Sequence, residues 1–143
     1  MFHKATLMAS LVFAAALTSG CAEFQAMGGT NTLVSLLASQ LGVTQEQAMG
    51  GAGSVLSLAK ETLPGMDFST LTRLIPGADS LMKTATDLGA VTGPITNRAG
   101  LESAFSRLGM AADMVPKFIQ SMGEFVGKTG GDAAKNLLTS LLR

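Results

Sequence analysis

The sequence predicts an all-α protein: a compact bundle of about six short helices, arranged as two pseudo-repeated three-helix halves. Three observations carry that prediction. Apolar residues recur with a period of about 3.6 residues over most of the chain. Gly and Pro punctuate the pattern where helices must end. A shift of 67 residues lays the second half of the chain over the first.

The first helix presents Leu33, Val34, Leu37, Ala38 and Leu41 on one face, and Gly42 ends it at the place where a left-handed residue is needed. The second starts in Val43-Thr44-Gln45-Glu46-Gln47. Thr44 caps it, Gln47 three residues on closes a capping box, and Val43 is available as a hydrophobic staple. Val55, Leu56, Leu58, Ala59 and Leu63 form its apolar face, and Pro64-Gly65 stops it. Asp67 reads as the cap of a short helix over Phe68–Ile75, broken by Pro76-Gly77. A further turn or two, Asp79–Leu88, leads into a Gly/Pro/Asn loop over 89–98.

The second half, roughly 99–142, follows the plan of 31–75. The shift places Ser39-Gln40-Leu41-Gly42-Val43 on Ser106-Arg107-Leu108-Gly109-Met110, and Leu71, Leu74 and Ile75 on Leu138, Leu141 and Leu142. The acids agree less well: Asp67 falls on Ala134, and Asp132 lies two places short of it. With Asp113 as cap, Pro116 becomes the third helical residue, where proline is tolerated. That helix is expected to run to about Gly127 with Val115, Phe118, Ile119, Met122, Phe125 and Val126 inward. A last helix, Ala133–Leu142, carries Leu137, Leu138, Leu141 and Leu142 on one side. Two such halves bury their apolar faces against each other, and neither is expected to stand alone.

The N-terminus reads as an address. His3 and Lys4 precede the apolar stretch Ala5–Leu17, and Thr18-Ser19-Gly20 leads to Cys21, the only cysteine. A charged start, an apolar middle and small residues at the cut make a secretory signal peptide over 1–20. A lone cysteine directly after small residues points to bacterial lipoprotein processing, with cleavage before Cys21 and acylation of its thiol and new amine. The pattern departs from the usual box, which has Leu three residues before the cysteine; here that residue is Thr18. Ordinary cleavage nearby, giving a soluble periplasmic or secreted protein, is the competing reading. An uncleaved anchor is disfavoured, because roughly 20 apolar residues are needed to cross a bilayer and Ala5–Leu17 supplies 13. Ala22 is not the Asp that would retain a lipoprotein at the inner membrane, so the expected destination is the outer membrane, facing the periplasm. Residues 21–30 then make an acylated cysteine and tether, and 31–143 a single helical domain. Several acyl chains give the stable anchoring that one chain cannot.

Composition narrows the function. Without residues 1–20 the chain has nine basic and ten acidic side chains, a net charge of −1, and no Lys/Arg cluster. It lacks the footprint of a nucleic-acid binder. A single cysteine makes no intramolecular disulfide, and Trp and Tyr are absent, so Leu, Ala, Val, Ile, Met and a few Phe must build the core.

The stretches Leu33-Val34-Ser35-Leu36-Leu37, Ser39-Gln40-Leu41-Gly42-Val43-Thr44-Gln45-Glu46-Gln47-Ala48 and Gly50-Gly51-Ala52-Gly53 resemble the VcgC/VcgE family of bacterial domains of unknown function. The resemblance continues through Leu58-Ala59-Lys60, Asp67-Phe68, Ile75-Pro76-Gly77, Phe105-Ser106-Arg107-Leu108-Gly109-Met110 and Asp113-Met114-Val115. It implies an all-helical exported domain. It supplies no activity, so no residue inherits a role from it.

The mature chain contains no His and no Tyr, and its one thiol is the acylation site. The usual acid/base residue and the base that would activate a serine are missing. The carboxylates Glu46, Glu61, Asp67, Asp79, Asp87 and Asp113 fall at helix starts or on polar faces, and those at helix starts complement the helix dipole. No Cys/His set suits zinc and no Asp-x-Asp-x-Asp-Gly loop suits calcium. No catalytic residue, cofactor or metal site is therefore expected. Gly50-Gly51-Ala52-Gly53 is no phosphate loop, since no strand precedes it and no Gly-Lys-Ser/Thr follows. Its expected use is close packing against a neighbouring helix of the same domain; a dimer contact or a ligand-facing notch is the competing use. The abundant Met, and the strongly apolar first and last helices, are likewise assigned to the core rather than to a binding groove or a lipid surface.

The expected function is a non-enzymatic envelope lipoprotein, a helical binding or structural module acting through an apolar groove or by self-association. Its expected partners are the membrane, through acylated Cys21, and an unidentified protein or a second copy of itself; no nucleic acid is among them. One alternative is a membrane-active protein whose helices insert in lipid. Another is a cryptic carboxylate enzyme.

Overall fold

Six α-helices and a closing 3-10 turn follow one another in the computed structural model, which describes residues 29–143. The predicted signal peptide, Cys21 and residues 22–28 of the tether lie outside the described residues. The helices are α1 (Gly29–Leu41), α2 (Gln45–Thr62), α3 (Gly65–Leu74), α4 (Ala78–Asp87), α5 (Arg98–Arg107) and α6 (Met114–Thr139), with the 3-10 turn at Ser140–Leu142. No strand occurs among the described residues. The protein is all-α, as the periodicity predicts.

Helix α2 is the centre of the bundle. Every other helix touches it, and ten consecutive or near-consecutive residues from Ala48 to Ala59 are buried. Its start follows the capping signal in full. The Thr44 Oγ1 accepts from Gln47 N at 3.1 Å, and Gln47 Oε1 accepts from Thr44 N at 3.1 Å. The same Gln47 reaches the other half of the chain, where its Nε2 donates to Leu108 O at 3.0 Å. One side chain thus closes its own helix and ties it to a turn 61 residues away.

The Gly-Gly-Ala-Gly run is what allows such crowding. A Cβ on Gly53 would overlap the Leu81 carbonyl of α4; one on Gly51 would enter the Phe118 ring of α6; one on Gly50 would meet the Leu108 side chain. The run is therefore intramolecular helix packing, as expected. Ser54 beside it is fully buried, and its hydroxyl donates to Gly50 O at 2.7 Å, so the polar atom carries no desolvation penalty.

The 67-residue shift has a structural counterpart. Gly42 and Gly109 both take positive φ, 66° and 79°, after α1 and α5. The bond from Val43 N to Ala38 O recurs as Met110 N to Phe105 O, at 3.2 and 2.9 Å. The break between α2 and α3 falls at Pro64, and its shifted position is Gly131, where α6 kinks with φ 74° and ψ −172°. Contacts between the halves are reciprocal: α1 lies on α6 and α5 on α2, while α3 lies on α6 and the terminal 3-10 turn on α2. Equivalent positions meet at the seam, with Gly51 of α2 seating Phe118 of α6. Phe118 is held edge-on by Phe105, ring centroids 4.9 Å apart and planes at 85°.

Several expected boundaries move. Helix α3 starts at Gly65, not after Asp67, because Pro64 in extended geometry takes the cap position and its carbonyl accepts from Phe68 N at 3.0 Å. Asp67 is left in the first turn without a capping bond. Asp113 does occupy the position before α6, but in helical geometry that turns its carboxylate away from the free N–H groups. It accepts instead from Lys117 Nζ at 3.0 Å, and the turn bond from Met114 N to Ala111 O does the entry work. Asp79–Leu88, expected as a turn or two, is the ten-residue helix α4, entered through Gly77 at φ 79°. The last two expected helices are both present within the span of α6: the helical path breaks at Gly131, a few residues beyond the expected end at Gly127, and the chain returns so that Lys135 lies beside Gly123 and Gly127. Pro116 sits third in α6, where its missing N–H costs nothing.

Two substitutions test this packing. Replacing a helical glycine by alanine gains up to about 1 kcal/mol in propensity, but at position 53 the methyl meets backbone that cannot turn aside. Gly53→Ala is expected to lose about 3 kcal/mol, read from urea unfolding. Gln47→Glu keeps the oxygen that accepts from Thr44 N but sets an acceptor against Leu108 O. Despite the favourable charge at a helix start, it should lose about 1–2 kcal/mol, checked by the same measurement.

Candidate functional site

Charged side chains on this surface are mostly spent locally. Lys83 pairs with Asp87 at 2.7 Å, Arg98 with Glu102 at 2.9 Å and Lys117 with Asp113 at 3.0 Å, each one helical turn apart and open to water. Such pairs contribute about 0.3–0.5 kcal/mol. Glu46, Asp67 and Asp79 lie in the first turns of α2, α3 and α4, where their charge complements the helix dipole. Among the described residues no three His, Cys, Asp or Glu side chains stand together as a metal site. Cys21, the expected acylation site, is outside the described residues.

Two clefts remain. The larger, about 550 Å³, opens between α2, α4 and the loop that follows α4. Ser57, Lys60, Glu61, Asp79, Lys83 and Thr86 form its polar walls, and Met82, Val91, Pro94 and Ile95 its apolar side. The loop is held in place by Arg107, whose Nη1 donates to Ala90 O at 3.3 Å and to Thr92 Oγ1 at 2.9 Å, while Ile95 is buried beneath. Glu61 and Asp79 are the two expected carboxylates that the fold brings to one cleft, and Lys60 and Lys83 stand there with them. Both acids are exposed, so the mixture of charges is solvated rather than poised.

The second cleft, about 340 Å³, runs between α3 and the end of α6. Leu74, Ala133, Ala134 and Leu137 give it an apolar floor, and Asp67, Thr70 and Arg73 a polar rim. Gly130 opens it, since a Cβ there would enter the Leu74 side chain. Its walls are the two halves of the pseudo-repeat: Asp67 faces the counterpart position Ala134 in one lining, and Thr70 the counterpart Leu137. The cleft thus lies on the seam between the halves. Sequence reasoning missed it. Its signal was the pairing of a polar set, Asp67, Thr70 and Arg73, with a small apolar set, Ala133, Ala134 and Leu137, at positions the repeat superimposes.

No helix among the described residues is long and apolar enough to cross a membrane. A family model described as protein of unknown function VcgC/VcgE matches residues 9–143, and the chain belongs to that family. No curated protein and no solved structure matches it.

The larger cleft yields a direct test. Because Glu61 is exposed, Glu61→Gln should shift unfolding free energy by less than about 0.5 kcal/mol, and Asp79→Asn, which removes a charge from the first turn of α4, should lose no more than about 1 kcal/mol. Thermal unfolding of the variants checks it, and a larger loss would show that the pair supports the fold.

Proposed function

We propose that this VcgC/VcgE-family protein is a non-enzymatic lipoprotein of the bacterial envelope, acylated at Cys21 and tethered to the outer membrane on its periplasmic side. It acts as a helical module that binds a protein partner through an apolar groove or by self-association. The observation that carries the binding role is the seam cleft: an apolar floor of Leu74, Ala133, Ala134 and Leu137 with Asp67 and Arg73 at its rim suits an apolar side chain or helix edge flanked by polar groups. The signal-peptide layout and the single cysteine support the location. A mature chain free of His, with its acids solvated or paired to lysine or arginine, supports a role without catalysis.

The reading is tested by in-cell crosslinking of the tagged protein beside Cys21→Ala and Ala133→Trp. Ala133 is exposed, so tryptophan there fills the cleft without entering the core. Wild type should incorporate a fatty-acid label and capture a distinct envelope protein. Cys21→Ala should lose the label, and both variants should lose the captured protein. Capture that persists in Ala133→Trp removes the seam cleft from the proposal, and absence of label in wild type removes the anchor.

A further inference from the structure

The contact between the two halves is isologous in form. Each uses the same positions, the same Leu-Gly turn and the same helix break, and each covers the other reciprocally. Interfaces of that form are the ones by which two identical chains build a dimer. Here they are joined in one chain by a single connection, Leu88–Asn97, after α4 has packed onto its own half.

We infer that two copies of this chain form a reciprocal dimer by exchanging residues 98–143, with Leu88–Asn97 as the hinge. The inference rests on the self-association form of the function proposed above. Every contact between halves, from Gly51 on Phe118 to Gln47 on Leu108 O, forms equally well when the second half comes from a partner copy. The two states differ in the connection alone. Opening it releases the Arg107 bonds to Ala90 O and Thr92 Oγ1 and lifts Ile95 from cover. Gly89, at φ 76°, and Gly93 have open space around them and can take up the new backbone path. The connection's ten residues reach about 30 Å when extended, enough to pass to a neighbour rather than fold back. Tethering of the copies to one membrane raises their effective concentration and favours exchange over closure.

The test uses full-length chain carrying Cys21→Ala, grown with light and with heavy nitrogen, mixed, unfolded and refolded together at millimolar concentration. Light scattering on the eluted species gives the mass, and a lysine crosslinker reports which chains join Lys60 or Lys83 of the first half to Lys117, Lys128 or Lys135 of the second. Exchange predicts a dimer whose half-to-half crosslinks combine a light with a heavy peptide, at the same residue pairs that crosslink within the monomer. Its yield should rise with refolding concentration. A dimer whose half-to-half crosslinks stay uniform in mass overturns exchange and leaves self-association by surface contact standing. Monomer at every concentration overturns exchange and self-association alike, and leaves the groove, which the crosslinking of Ala133→Trp tests separately.

Discussion

The close approach of α4 to α2 sets the geometry of everything else. Two helices with ordinary side chains between them sit about 8–10 Å apart; at Gly53 the α4 backbone is so near that a methyl group would strike the Leu81 carbonyl. Gly51 uses the same lack of side chain on the opposite flank to receive the Phe118 ring, and Gly50, one turn before Gly53, receives Leu108. With α2 reduced to near backbone width on two sides, α4, α5 and α6 can all bury their apolar faces on one 18-residue helix. This is how a chain without Trp, Tyr or a disulfide obtains a core of usable density. The glycines cost helix propensity, and the helix survives because tertiary packing supplies what propensity does not.

Size complementarity across the seam follows from the same constraint. Positions related by the 67-residue shift are not equal in volume: Ala38 and Gly51 in the first half answer to Phe105 and Phe118 in the second. The large pair stacks edge to face and fills the space the small pair leaves. Elsewhere the related positions match in burial, as with Ala48 and Val115, Ala52 and Ile119, Val55 and Met122, Leu71 and Leu138. Ser54 and Ser121, also related, are the two buried polar residues among those described. The core is thus one continuous cluster shared by both halves, which is why neither is expected to persist alone.

What the sequence made legible were features with a local cause. Thr44 and Gln47 form a capping box because the spacing brings their side chains to each other's backbone, whatever surrounds them. Leu-Gly turns, the place of Pro116 and the inward faces of α1, α2 and α6 are legible for the same reason. The failures came where two local signals competed or where distant chain decided. Asp67 looked like a cap, but Pro64 already supplied an extended residue three positions earlier. Asp113 does hold the cap position of α6, but its carboxylate accepts from Lys117 instead of making the capping bond. The seam cleft was illegible because its walls are 56 or more residues apart in sequence, and only the superposition of the halves brings Thr70 beside Leu137.

The two halves differ chiefly in that only the first carries an added helix, and the residues explain why. Helix α4 covers the strip of α2 that contains Gly53 and Ser57. On α6 the related positions are Gln120 and Glu124, both exposed and polar, so that strip needs no cover. Glycine at 53 leaves room for the α4 backbone, which a side chain as large as that of Gln120 would fill. A pair of positions, 53 and 120, thus records where the symmetry of the halves ends. The larger cleft follows from that asymmetry, because it exists only where α4 and its trailing loop leave α2 incompletely covered, at Ser57, Lys60 and Glu61. The smaller cleft has the opposite origin and lies on the seam itself, where the related helix ends meet without enough side chain to close the gap. Binding through the seam therefore depends on both halves being in place, whereas the α4 cleft depends on the first half and the loop that leaves it.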